Sequence, residues 1–204
     1  MAQTKSELVE QFRCQAIREA VMRMVARKGY DSVTVQDIAD EAGIAKGTVY
    51  LYFKSREDVL DKTVNFAFDE LRAHIRQAID CGGSFRECVE RVVQTQLDYF
   101  EQRHEFLRLY LAVAEPLGER RLRKHACYLE HISQLTSMVE SAAARGEVSS
   151  DPPERIAIAV AAVIRDIGLQ RLTEKTKRPL ADDAAFVRDF ICRGIAGSQS
   201  PENP

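Results

Sequence analysis

Apolar side chains recur along this chain at steps of three and four residues, the spacing of a helix face. Leu8, Phe12, Ala16, Ile17, Ala20, Val21, Met24 and Val25 form one such stripe and predict a long first helix. Arg23, Arg27 and Lys28 load its last turn, where cations complement the helix dipole, and Gly29 is its stop. Thr34 with Asp37 reads as a capping box for a short helix that reaches about Ala42 and ends at Gly43. A second short helix is expected from Ala45 to Phe53. Ser55 with Asp58 opens a long one to about Asp80, striped by Leu60, Val64, Ala67, Phe68, Leu71, Ile75 and Ile79. Cys81-Gly82-Gly83 breaks the pattern, and Ser84 with Glu87 caps the next stripe, Val89, Val92, Val93, Gln96, Leu97 and Phe100. Further helices are expected over residues 104–114, 118–145, from Asp151-Pro152-Pro153-Glu154 onward, and 182–195. No stretch alternates at a period of two. The fold class predicted is all-α, with about nine helices.

The two short helices form a specific unit. Ile38, Ala39 and Ala42 share one face of the first, and Val49 and Phe53 share one face of the second. A tight turn containing Gly43 joins them, as in a helix-turn-helix. The other side of the second helix carries Lys46, Tyr50 and Lys54 at i, i+4 and i+8, with Gly47 and Thr48 at its N-terminal end. Small residues there permit close approach to a major groove, and the donors reach phosphates or base edges.

The run TVQDIADEAGIAKGTVYLYFKSREDVL, between an amphipathic helix and a long linking helix, resembles the TetR (tetracycline-repressor-like) family of bacterial transcriptional regulators. The matching positions include Gly43, Gly47-Thr48, Tyr50, Tyr52-Phe53 and Lys54-Ser55-Arg56-Glu57. The resemblance implies a three-helix reader domain over residues 1–55, a ligand-binding and dimerisation domain over 56–198, and a disordered tail at 199–204. It implies that Lys46, Gly47 and Thr48 approach base edges and that Thr34, Tyr50, Tyr52 and Lys54 contact phosphates. Leu51 stands where the family often has a polar or aromatic residue, and its side chain can reach a thymine methyl.

Charge at first opposes this reading. The 204 residues carry a formal net charge of −2, and 29% are charged. Residues 1–60 hold nine Lys or Arg and nine Asp or Glu, yet the stretch 45–54 contains no acid. Local distribution, not the sum, decides whether DNA is attracted. Few phosphate contacts per subunit, doubled in a dimer, are therefore expected. The five cysteines include no C-x-x-C pair, no apolar run reaches membrane-spanning length, and the N-terminus lacks a signal-peptide core. A cytoplasmic protein with free thiols and no membrane partner is expected.

The segment Ile156 to Ile164 lacks any polar side chain, so that helix must be covered on all sides. With the last helix it is expected to form a homodimer interface, as the family's last two long helices do; the residues are Ile156, Val160, Val163, Ile164, Ile167, Phe186, Val187, Phe190 and Ile191. The middle helices are expected to enclose a small-molecule effector. Candidate lining residues are Phe66, His74, Gln96, Tyr99, Phe106, Tyr110, Tyr128 and Met138: aromatic or apolar bodies with a few polar groups. The family reading is a repressor released from its operator by that effector.

Two alternatives stay open. A metal- or redox-sensing regulator could use His125, Cys127 and His131, or Cys81 and Cys88. A helical adaptor that binds only protein is the rival from another class. No nucleotide-binding, zinc-protease or hydrolase motif is present, so neither an enzyme nor a cofactor is expected.

Overall fold

The computed structural model describes residues 4–106, 108, 121–148, 151–173 and 178–195. Tyr110, most of the expected 104–114 helix, the side chains of His125 and Cys127, and the tail at 199–204 lie outside the described residues. Eight α-helices occur among the described residues: α1 (Lys5–Lys28), α2 (Val35–Ala42), α3 (Lys46–Tyr52), α4 (Arg56–Asp80), α5 (Phe85–Gln102), α6 (Arg121–Ala144), α7 (Pro153–Thr173) and α8 (Leu180–Ile195). A 3₁₀ turn, Tyr30–Ser32, joins α1 to α2.

Two compact units form. The first comprises Met1–Ala67 and Glu105–His125, and the second Phe68–His104 and Ala126–Pro204. In the first, α1 packs on α2 and α2 on α3. Ile17, Ala20, Val21, Met24 and Val25 of α1 close on Ile38 and Ala39 of α2, with Val49 and Phe53, to give a small apolar core. The stripe expected on α1 is buried only from Ile17 onward, since Leu8 is 40% and Phe12 74% exposed. Length explains this. The 24 residues of α1 extend roughly 36 Å, and the 8-residue α2 only about 12 Å. Gly43 ends α2 in the left-handed region at φ 67°, which lets the Ile44 amide return to the Ala39 carbonyl at 3.0 Å.

In the second unit, α5 packs against α7 and α8, which also contact each other. Val89, Val92, Val93, Leu97 and Phe100 of α5, Ala157, Val160, Ala161 and Ile164 of α7, and Val187 and Ile191 of α8 are all buried. Ion pairs rim this packing: Arg86 to Asp189 at 2.6 Å and Arg188 to Glu90 at 2.8 Å. A buried one secures its end. Arg171 of α7 meets Asp183 of α8 at 2.5 Å and Glu101 of α5 at 3.0 Å. No helix among the described residues is long and apolar enough to cross a membrane.

Candidate functional site

The capping boxes read from sequence position the helix-turn-helix. Thr34 Oγ1 accepts from the Asp37 amide at 3.1 Å and donates to the Asp37 carboxylate at 2.8 Å. The same carboxylate meets Lys28 Nζ of α1 at 2.6 Å. The Lys28 hydrogen bond, then those from Thr34, hold Asp37 down at a pKa of about 2. Glu41 receives Arg23 at 2.7 Å and also Arg27. Arg23, Arg27 and Lys28 at the end of α1 thus pair with two of the three acids of α2, Glu41 and Asp37, a role beyond the expected match to the helix dipole, while the exposed Asp40 accepts from Gln36 at 2.8 Å.

One residue that sequence reasoning left without a role completes the frame. Arg56, at the start of α4, donates to the carbonyls of Tyr30 (2.6 Å), Asp31 (3.0 Å) and Val33. It fastens the turn between α1 and α2 to the base of α4. No local pattern signals this, because the acceptors are backbone atoms more than twenty positions away. At the α3–α4 corner, Asp58 accepts from the Lys54 amide at 2.8 Å while Ser55 Oγ accepts from the Asp58 amide at 3.1 Å. The Lys54 bond is the first cause of Asp58's lowered pKa.

With these groups engaged, α3 and the turn after it present a face free of acid; the helix ends at Tyr52, short of the expected Phe53, which is extended, so Lys54 lies beyond the helix. Lys46, Gly47, Tyr50, Leu51 and Lys54 are exposed, and Thr48 is half-buried. The N-cap of α3 is Ala45, which supplies no side-chain cap; the Thr48 amide donates to the Ala45 carbonyl at 2.8 Å, and the amides of Lys46 and Gly47 before it are the donors left for another acceptor. Two residues sit differently from this face. Tyr52 is half-buried and its hydroxyl accepts from Arg13 of α1 at 3.4 Å. Thr34 has its hydroxyl fully occupied by Asp37.

The residues expected to line an effector site are scattered. Phe66 lies in the first unit under the Arg18 guanidinium, 3.8 Å from the ring centroid. Phe106 is fully buried and also belongs to that unit. In the second unit, His74 is exposed, its ring 5.7 Å from that of Tyr99, and its Nδ1 is 2.7 Å from the Glu70 carbonyl. Tyr99 is buried and donates to Glu70 at 3.3 Å; burial and that carboxylate raise its pKa. Tyr128 is half-buried. Met138 is buried and lines a groove of about 380 Å³ together with Arg76 and Asp80 of α4 and Ser133, Ser137 and Ser141 of α6.

Gln96 differs from these. It has no exposure, and neither amide atom has a hydrogen-bond partner among the described residues. His131, considered from sequence only as a metal ligand, is equally buried, and neither ring nitrogen has such a partner. Burial, then the positive charge of Arg72, lowers its pKa to about 4, so the ring is neutral at pH 7. A signal did exist: His131, Leu135, Met138 and Ala142 share the buried face of α6. No group of three metal-ligating side chains occurs among the described residues.

The expected dimer residues divide by face. Ile156, Val160 and Ile164 of α7 and Val187 and Ile191 of α8 are consumed by the chain's own core. Val163 and Ile167 are half-buried. Phe186 and Phe190 are 59% and 58% exposed, with their rings stacked at 6.3 Å, and Ile158 is 43% exposed. The outward apolar ridge is therefore shorter than the sequence set, because a helix apolar all round conceals which side its own chain covers.

Residues 17–63 match the family described as bacterial regulatory proteins, tetR family. The chain is 31% identical over 87 residues to the HTH-type transcriptional repressor KstR2 of Rhodococcus jostii, covering 43% of each. It is 26% identical over 184 residues to the repressor KstR of Mycobacterium tuberculosis, covering 90% of this chain and 80% of that one. The chain spans about half or less of the length of the first curated relatives it matches. Among solved structures, FadR from Bacillus subtilis in complex with stearoyl-CoA superposes with a TM-score of 0.80 at 20% identity, covering 89% of this chain and 98% of that one. AibR in complex with isovaleryl coenzyme A and operator DNA gives 0.73 at 17%, covering 87% and 97%. These two likenesses are of fold.

Proposed function

We propose that this chain, whose residues 17–63 match the tetR family of bacterial regulatory proteins, is a transcriptional repressor that binds operator DNA as a homodimer and is released by a small-molecule effector. The observation that carries this reading is the acid-free exposed face of α3, with Asp37 and Glu41 of α2 paired back onto α1. Lys46, Gly47 and Thr48 approach base edges, and Leu51 offers an apolar contact to a thymine methyl. Tyr50 and Lys54 contact phosphates. Two residues take positioning roles in this reading: Thr34 caps α2, its amide and hydroxyl both engaged by Asp37, and Tyr52 holds α3 through Arg13.

Phe186 and Phe190, with Ile158, supply the dimer ridge. The second unit holds the effector, and Gln96 is the member of the expected lining set best supported. That two fold neighbours are described with acyl-CoA molecules supports a lipophilic effector. Effector binding favours a conformation in which the recognition helices no longer match half-sites roughly 34–36 Å apart. Such a protein works in the cytoplasm, where its operator lies, and catalyses nothing. The test is fluorescence anisotropy with duplexes from the region upstream of its own gene. Salt-sensitive, sequence-preferring binding is expected. Equal affinity for scrambled duplexes would refute the reading.

A further inference from the structure

Gln96 on α5 and His131 on α6 break the rule that buried polar side chains are paired. Both are fully buried in the second unit, within helix faces otherwise made of Val92, Val93, Leu97 and Phe100 or of Ile132, Leu135 and Val139. Other buried polar side chains there keep at least one partner; even Gln134, whose carbonyl oxygen has none, donates its amide to the Arg72 carbonyl at 2.9 Å. Tyr99 has Glu70, and Arg171 has Asp183 and Glu101. A carboxamide and an imidazole left unpaired destabilise the folded chain, where leucine would not.

We propose that Gln96 and His131 are the polar anchors of the effector, and that the group they hold is uncharged and both donates and accepts hydrogen bonds, a hydroxyl or an amide on an apolar skeleton. The proposal rests on the effector-released reading above and deepens it. The chemistry of the two side chains sets the class. The carboxamide offers two N–H donors and a carbonyl acceptor, and a neutral imidazole one donor and one acceptor. A carboxylate can only accept, so it leaves the Gln96 oxygen and one imidazole nitrogen unpaired. A hydrocarbon leaves all of them so. Arg72, whose positive charge acts on His131, is already paired with Asp69 and with Glu130 at 2.9 Å and does not call for an anion.

The experiment compares the full chain with Gln96→Leu and His131→Phe, using 1-decanol, decanamide and decanoate as probes that share a chain and differ in head group. Ligand-free, each variant is expected to keep the wild-type Tm or exceed it by up to about 5 °C, because an unpaired polar group has been removed. By calorimetry, wild type is expected to bind decanol and decanamide at least about 10-fold more tightly than decanoate, and each variant to lose that preference. A Tm lowered by more than about 5 °C in either variant overturns the proposal, since the group must then be paired within the protein. So does tighter or equal binding of decanoate, binding of none of the three, or a preference that survives both substitutions. Operator binding by the wild type, measured alongside, separates the failures. If the operator is bound but head groups are not distinguished, only this inference falls. If no operator is bound, the repressor reading itself falls.

Discussion

Lys28 Nζ sits 2.6 Å from Asp37 Oδ1, joining the last turn of α1 to the first turn of α2. The folded-state pKa of Asp37 lies at about 2, below its unfolded value near 3.9. A depressed carboxyl contributes stability that is complete above the unfolded value and disappears as pH falls toward the folded one. Wild type is therefore expected to be more stable than Asp37→Asn at pH 7, with the gap closing between about pH 4 and pH 2. Urea unfolding at a series of pH values checks this; a gap independent of pH would remove the charged carboxylate from the account.

Lys54 keeps its ammonium exposed while its amide is fixed by Asp58. Replacing it with alanine leaves that amide bond in place and, on the proposed reading, removes one phosphate contact. The slope of log affinity against log salt is expected to fall by roughly 1 per subunit. An unaltered slope takes Lys54 off the DNA-contacting face.

Arg56 satisfies three backbone carbonyls, those of Tyr30, Asp31 and Val33. Arg56→Ala is expected to destabilise the protein by about 2–4 kcal/mol, because a charge-assisted set of bonds is lost and acceptors near the core are stranded. Arg56→Lys restores only part, since one ammonium cannot span the planar fork of a guanidinium. Denaturant midpoints of the two variants measure it. A loss under about 0.5 kcal/mol in the alanine variant would show these bonds exchange freely for water.

Phe186 and Phe190 face outward on α8 while Val187 and Ile191 face the chain's own core. A Phe186→Glu, Phe190→Glu double variant is expected to sediment as a monomer that remains helical, whereas Val187→Glu is expected to unfold. Sedimentation velocity with circular dichroism separates these outcomes. A double variant that remains dimeric would move the interface elsewhere.

Arg171 and Asp183 form a buried pair with side chains 7% and 6% exposed. Removing Arg171 leaves Asp183 only the more exposed Arg178, 3.3 Å away, as an ion-pair partner among the described residues. Arg171→Met is expected to cost about 3–5 kcal/mol, and adding Asp183→Leu to return most of it. Additive losses in the double variant, by urea unfolding, would contradict a coupled pair.

Local grammar explains what could be read without coordinates. The boxes Thr34/Asp37 and Ser84/Glu87 lie three residues apart, so sequence displays them directly, and both occur. The box Thr4/Glu7 obeys the same rule and also occurs, although the part of the apolar stripe that follows it, Leu8 and Phe12, is exposed. Contacts set by distant chain were illegible. Phe12 looks like core until the reach of α2 is known, and Arg56 looks like surface charge until its carbonyls arrive. His131 was legible in spacing and obscured by chemistry, because His125 and Cys127 nearby invited a metal interpretation. The α3 face was readable because one continuous stretch displays it whole.

The pairing of Arg23, Arg27 and Lys28 with Glu41 and Asp37 has a consequence for how such a protein finds its site. A reader made uniformly cationic would adhere to every polyanion in the cell, at any angle. Here attraction is cancelled on the flank and left on the recognition helix, so the domain behaves as a compass needle more than as a weight. The phosphate field turns it before it pulls it. On the repressor reading, encounters are expected to arrive already oriented, and wrong nucleic acids to be released quickly, because little sequence-independent attraction remains to hold them.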